Sequence, residues 1–195
     1  SILDVTPLVV GQQRSQALLA DRHRAEESVR RRAEFLAALN QTTLEMMGRR
    51  KVTDLLQDLA QRCSTLLDCP HAEITLLEDD ALVVRATSPG IEHLLGDCAR
   101  RGEAALGWQA FDSRVPVVVA CYAEHPDRRA VYAAHALQAV AEIPIIRGAE
   151  CLGLLSLART QPGLPFTEEE IQHGSLLARM AALVLHNAKT HEDAV

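Results

Sequence analysis

The spacing of apolar positions changes several times along this chain, and each change marks a new element. From about Gln12 to Met47 neither Pro nor Gly interrupts a stretch dense in charges of both signs, including "ADRHRAEESVRRRAEFLAAL". Ala25, Val29, Leu36 and Thr43 or Met47 share a stripe that Arg22 and Arg32 interrupt. The segment therefore reads as a long helix, and such a stripe makes a weak two-stranded seam. A solvated linker helix and a dimeric coiled coil both fit it. Gly48 breaks this helix, and "VTDLLQDLAQRCSTLLDCP" follows with Val52, Leu55, Leu56, Leu59, Cys63, Leu66 and Leu67 at the 3.6-residue period of an amphipathic helix. Pro70 stops it.

The period then shortens to two. In "AEITLLE", Ile74 and Leu76 alternate with Glu73 and Thr75, and "ALVVRAT" follows an Asp79-Asp80 turn, which predicts a hairpin. "SPGIEHLLGD" is loop-like, "RGEAALGWQAF" a short helix, "VPVVVA" a short strand, and "EHPDRRAVYAAHAL" a helix with Pro126 near its first turn. "QAVAEIPII" and "CLGLLSLAR" read as two strands joined at Arg147-Gly148-Ala149-Glu150. Pro144 removes a ladder donor, so the first of them should bulge or lose pairing there.

The last helix announces its start. Thr167 with Glu170 forms a capping box, Phe166 and Ile171 are placed for a hydrophobic staple, and Glu168 and Glu169 suit the positive end of the helix dipole. Beyond it, Leu176, Leu177, Met180, Leu183, Val184 and Leu185 occupy most of the circumference. One sheet cannot bury all of these, so the helix calls for a helical partner, either the N-terminal helix or its copy in a second subunit. Helices on the faces of a mainly antiparallel sheet make an α+β domain.

Composition narrows the classes. The 195 residues are 48% hydrophobic but only 3% aromatic, so the core must be built from Leu, Val, Ile and Ala. A net charge of −6 argues against non-specific nucleic-acid binding, which needs a cationic face. No apolar run is long enough to span a bilayer, and no signal peptide is visible. The chain opens on Ser, which suggests a piece of a longer protein. Cys63, Cys69, Cys98, Cys121 and Cys151 are scattered without a CxxC pair, which suits a reducing cytoplasm.

These residues resemble a family, the GAF domain, over about residues 35 to 190. "VYAAHALQAVAEIPIIRGAECLGLLSLARTQPGLPFTEEEIQHGSLLARMAALVLHNA" is similar to the second half of bacterial signalling GAF domains, and "RGEAALGWQAFDSRVPVVV" resembles their middle segment. Pro144 is then expected, because the family often carries Pro there. "LDVT", residues 3 to 6, resembles the end of a PAS domain from which a signalling helix departs. The resemblance implies a PAS-like tail at 1–10, a linker or coiled-coil helix at 11–47, a GAF domain at 48–190 and the start of a C-terminal linker at 191–195. It implies a GAF/PAS-like antiparallel sheet flanked by helices.

The resemblance also frames the chemistry. Cyclic-nucleotide-binding members carry an Asn-Lys pair after the penultimate strand and a Phe followed by Asp-Glu. Ala158 and Arg159 stand near the first pair here, and Phe166, Glu169 and Glu170 are accounted for by capping, so that motif is absent. A covalent bilin needs a placed Cys, usually followed by His, and no Cys-His dipeptide occurs. Cys121, Tyr122 and His125 fall in a loop that borders the family's pocket; a core Cys beside a surface Tyr and His is the plainer reading. His135 is the best-placed axial residue for a haem, though a lone His on such a helix is usually structural. Trp108, Cys121, Tyr122, His125 and His135 are thus the pocket candidates, with no catalytic residue, no metal ligand and no required cofactor. The family includes one enzyme, free methionine-R-sulfoxide reductase, which uses several cysteines. Cys98, near Arg100 and Arg101, could be reactive, but Gly107-Trp108 stands where a second cysteine would be wanted.

The expectation is a non-catalytic sensory or regulatory domain of a bacterial, cytoplasmic signalling protein. It would form a homodimer through its N- and C-terminal helices. A small-molecule or conformational signal would pass to a histidine kinase or cyclic-di-GMP output domain outside this chain. The alternative is a ligand-less structural dimerisation module.

Overall fold

Among the described residues six strands, all antiparallel to their neighbours, form one sheet in the order β3 (Cys98–Arg100), β2 (Ala81–Thr87), β1 (His71–Glu78), β6 (Glu150–Arg159), β5 (Ala139–Arg147) and β4 (Val117–Val119). The computed structural model describes residues 51–192, with side chains as far as Asn187, and Glu27, Arg30, Arg31 and Glu34 before them. These four are helical or pair as a helix would, with Arg30 Nε 3.6 Å from Glu34 Oε1. The PAS-like tail, the rest of the linker helix and residues 193–195 lie outside the described residues. The chain divides into two units, Ser1–Glu45 and Met46–Val195. The second unit runs α1 (Val52–Leu66), β1 (His71–Glu78), β2 (Ala81–Thr87), β3 (Cys98–Arg100), α2 (Ala105–Ser113), β4 (Val117–Val119), β5 (Ala139–Arg147), β6 (Glu150–Arg159) and α3 (Glu168–Glu192).

Local chemistry explains the junctions. The hairpin β1–β2 turns on Asp79 and Asp80 with φ of 44° and 63°, the left-handed pair a two-residue hairpin turn requires. At the start of α3, Thr167 Oγ1 accepts from the Glu170 N–H at 3.2 Å while Glu170 Oε2 accepts from the Thr167 N–H at 2.8 Å, which is the capping box read from the sequence. Pro144 lies two residues beyond Glu142, where the ladder of β4 on β5 stops, so its missing N–H falls on an edge. The irregularity comes just after it, between Ile145 and Ile146.

The two faces of the sheet are distinct. Ile74, Leu155 and Ile143 are direct cross-strand partners and face the layer of α1 and α3. A Cβ at Gly174 of α3 would come within 2.4 Å of Ile143 Cδ1, so this helix lies almost on the strand. Leu56, Leu59, Cys63 and Leu177 complete that core. The opposite face carries Glu73, Ser156 and Glu142, again direct partners across β1, β6 and β5. It is covered by α2, whose Gly107 approaches Leu154 and Leu82, and by the segment from Tyr122 to Leu137.

That segment corrects the sequence reading. In place of a regular helix it forms short 3-10 turns at Tyr122–Glu124 and Ala130–His135. The reason lies in its donors: Pro126 has none, Tyr122 Oη takes the Arg129 N–H at 2.9 Å, and His125 Nδ1 takes the Asp127 N–H at 3.2 Å. Side chains thus use the N–H groups a helix would need. Ala136, left-handed with φ of 50°, turns the chain into β5. Among the described residues no helix is long and apolar enough to cross a membrane.

Candidate functional site

An alternating strand ordinarily turns its polar side chains to water. β1 does not. His71, Glu73 and Thr75 occupy successive positions on one side of it and all are buried. They face two adjoining hollows of about 490 and 310 Å³, open mouths included, which share Tyr122, Tyr132, Glu142 and Ser156. The free volume within them is only about 40 and 30 Å³, enough for a few waters or a very small ligand. Tyr122 and Tyr132 also line a wider outer hollow with Ala130, Ala133 and Leu137, so their rings partition the inner space from the outer.

Polar groups gather on one side of this otherwise largely apolar space. Tyr132 Oη donates to Glu73 Oε2 at 3.0 Å, and Ser156 Oγ donates to Glu142 Oε2 at 2.5 Å. Burial pushes the Glu73 carboxyl up to about 7; the Tyr132 hydroxyl opposes that shift and the Glu142 carboxyl adds to it. Burial raises Glu142 too, against the Ser156 hydroxyl and the Arg129 guanidinium. Arg129 reaches in from the irregular segment, pairs with Asp97 at 2.9 Å, donates to the Cys98 carbonyl at 3.2 Å and lies 5.7 Å from the Tyr132 ring centre. Thr75 Oγ1 and His71 Nδ1 are buried without a hydrogen-bond partner.

Three histidines gather beside this space. His93 and His135 meet head to head, Nε2 to Nε2 at 3.1 Å with rings 8° from parallel, and the His71 ring stands edge-on to His135 at 5.0 Å. Burial, then the two other histidines, lower the His71 pKa. A 3.1 Å hydrogen bond between two imidazoles needs an N–H on one and a lone pair on the other. Among the described residues no group of three or more His, Cys, Asp or Glu is arranged to hold a metal ion.

The sequence candidates fall unevenly. Tyr122 is on the walls of all three hollows. His125 stacks on the Tyr122 ring at 6.5 Å from outside, and His135 belongs to the histidine trio behind the wall. Trp108 is buried behind Leu82 and Leu154, with Arg101 4.3 Å from its ring centre. Cys121 is exposed, as is Cys98. Cys63 and Cys69 are buried, and burial drives both thiols up, Cys69 to about 12, so they act as core filler. Sequence reasoning missed Glu73, Thr75, Glu142 and Ser156. The one signal for them was a carboxylate inside each of two otherwise apolar strands, "AEITLL" and "VAEIPII".

Comparison with known proteins agrees with this architecture. Among solved structures, the GAF domain of a phosphoenolpyruvate-protein phosphotransferase from Coxiella burnetii superposes with a TM-score of 0.71 at 22% identity, covering 83% of this chain and 97% of that one. The second GAF domain of DevS from Mycobacterium smegmatis gives 0.61 at 16% identity over 74% of this chain and all 100% of its own. Free methionine-R-sulfoxide reductase from Neisseria meningitidis, in complex with its substrate, gives 0.68 at 18% identity over 82% and 92%. Identities this low speak to fold alone. No curated protein matches the sequence. The GAF domain family model matches residues 50–186, nearly the whole described unit, and the chain belongs to the GAF domain family.

Proposed function

We propose that this is a non-catalytic sensory or regulatory GAF domain that takes a small molecule in the hollow walled by Glu73 and Glu142. Its signal passes to an output domain beyond this chain, a histidine kinase or a cyclic-di-GMP enzyme of a cytoplasmic bacterial protein. The observation that carries the reading is the double face of β5. Glu142 points to the hollow, and the next residue, Ile143, packs where α3 passes over it at Gly174. A ligand that moves β5 by a few tenths of an ångström must move α3 or strain that contact. It shifts the helix only if it binds one helix packing better than the other. Leu183, 55% exposed on the outer side of α3, leaves an apolar position for a helical partner, in keeping with a homodimer through the terminal helices.

A panel of small cationic, anionic, neutral polar and apolar compounds, screened by thermal shift, tests the reading. A compound that stabilises the chain and alters backbone exchange in α3 supports it. If no class binds, the chain is a ligand-less dimerisation module, a reading that the small inner volume favours. Turnover of free methionine-R-sulfoxide through the exposed Cys98 or Cys121 would instead make it a reductase and end the non-catalytic reading.

A further inference from the structure

The geometry points to a small primary ammonium compound as the occupant of the second of the two inner hollows, its –NH3+ group held between Glu73 and Glu142, which both line it. This rests on the reading of the hollow as a ligand site and names the ligand's chemistry.

Charge comes first. Among the described residues that line the two inner hollows, Glu73, Glu142 and Asp127 are acids and Arg129 is the one guanidinium or ammonium. Arg129 is already engaged by Asp97. Arg129 therefore offsets only part of the charge of the two central carboxyls, and buried carboxylates demand either a proton or a cation. Hydrogen bonding points the same way. The bonds from Tyr132 and Ser156 both end on Oε2, which leaves Oε1 of Glu73 and of Glu142 to accept from another donor. Thr75 Oγ1, on the same side of β1 two residues on from Glu73, is buried and unpartnered on the wall of the first hollow. His71 Nδ1, two residues the other way, is buried and unpartnered on the wall of the second. A site that offers acceptors and negative charge fits a group that offers only donors and positive charge. An ammonium supplies three N–H donors and no acceptor. A metal ion fits less well, because no group of three or more His, Cys, Asp or Glu among the described residues is arranged to hold one. The limited space sets the size, a head group with one or two carbons inside Tyr122 and Tyr132, any longer tail running into the outer hollow.

The test is thermal shift and calorimetry on the full chain with methylammonium chloride, against potassium chloride and tetramethylammonium chloride at equal ionic strength. Methylammonium should raise Tm by about 5 °C at saturation and the two controls by less than about 1 °C. Affinity should be at least about tenfold greater at pH 8 than at pH 5.5, as the carboxyls lose their protons; His71, Asp97, Tyr122, Asp127, Arg129 and Tyr132 are the other ionisable groups around them. Glu73→Gln and Glu142→Gln should each abolish the shift, while Glu92→Gln on the surface keeps it. Should either Gln variant fail to fold, wild-type calorimetry in two buffers of different ionisation enthalpy still decides, because binding at pH 7 must release protons. An equal response to potassium, or binding without proton release, overturns the proposal. A neutral or anionic compound that binds while ammonium compounds do not overturns it and leaves the sensory reading standing; binding of no class at all defeats both.

Discussion

Tyr132 Oη lies 3.0 Å from Glu73 Oε2, a hydrogen bond between residues 59 positions apart that ties the irregular segment to the central strand. It is the point at which the wall of the hollow meets its floor. Replacing Tyr132 with Phe keeps the ring and removes the donor. An ionised buried carboxylate then lacks a partner, so Tyr132→Phe should cost about 2 kcal/mol in urea denaturation at pH 8. The loss should shrink at pH 5.5, where Glu73, its pKa held near 7, is largely protonated.

The same carboxyl sets a pH signature. Glu73 has a folded-state pKa of about 7 against an ordinary 4.5, so the folded state holds the proton more tightly than the unfolded state does. Its contribution to stability is complete below about pH 4.5 and is lost as pH rises to about 7, a change of about 3 kcal/mol. His71, lowered by burial and by His135 and His93, acts in the opposite direction as pH falls below its ordinary value. The difference between wild type and Glu73→Gln isolates the Glu73 part. Denaturation across pH 4 to 8 should show that difference falling steadily as pH rises.

Gly153 is fixed by the backbone opposite it. A Cβ there would lie 1.9 Å from the Thr75 carbonyl oxygen and 2.9 Å from Leu76 Cα. Neither atom is the tip of a flexible side chain, so β1 and β6 must separate where Thr75 borders the hollow. Gly153→Ala should destabilise by about 3 kcal/mol or more, read from thermal denaturation, and should weaken any ligand of the hollow.

Arg159 anchors the other end of the sheet. It is buried, pairs with Glu170 Oε1 at 2.5 Å, donates to the Leu67 carbonyl at 2.9 Å and lies 4.4 Å from the Phe166 ring centre. One side chain thus joins α1, β6 and the cap of α3. Arg159→Met should cost about 3 to 5 kcal/mol, since it strands a partly buried carboxylate and a buried carbonyl. Glu170→Gln should cost less, because the amide oxygen still accepts from the Thr167 N–H.

These residues also show how far the sequence could be read. The capping box, the Asp79-Asp80 turn and the strand pair around Gly148 depend on contacts within a few residues, and all stand where local pattern placed them. Glu73 and Thr75 could not be placed in the same way. Alternation identifies a strand but not whether its polar side meets bulk water or a sheltered hollow, since that depends on Tyr132 and Arg129, more than fifty positions away. The segment after Cys121 has helix-forming residues, yet Tyr122 Oη and His125 Nδ1 divert its backbone donors. Of the pocket candidates, Tyr122 alone reached the wall of the hollow, because its ring is apolar enough to bury and its hydroxyl accepts the Arg129 N–H.

The central claim is that the acidic hollow and α3 are coupled through β5. Hydrogen exchange measured along the full chain, wild type against Tyr132→Phe at pH 8, tests it most directly. The account predicts faster exchange in three places: the segment around Tyr132, residues 139–147 of β5, and the stretch of α3 near Gly174. Faster exchange confined to the segment around Tyr132, with β5 and α3 unchanged, would contradict it.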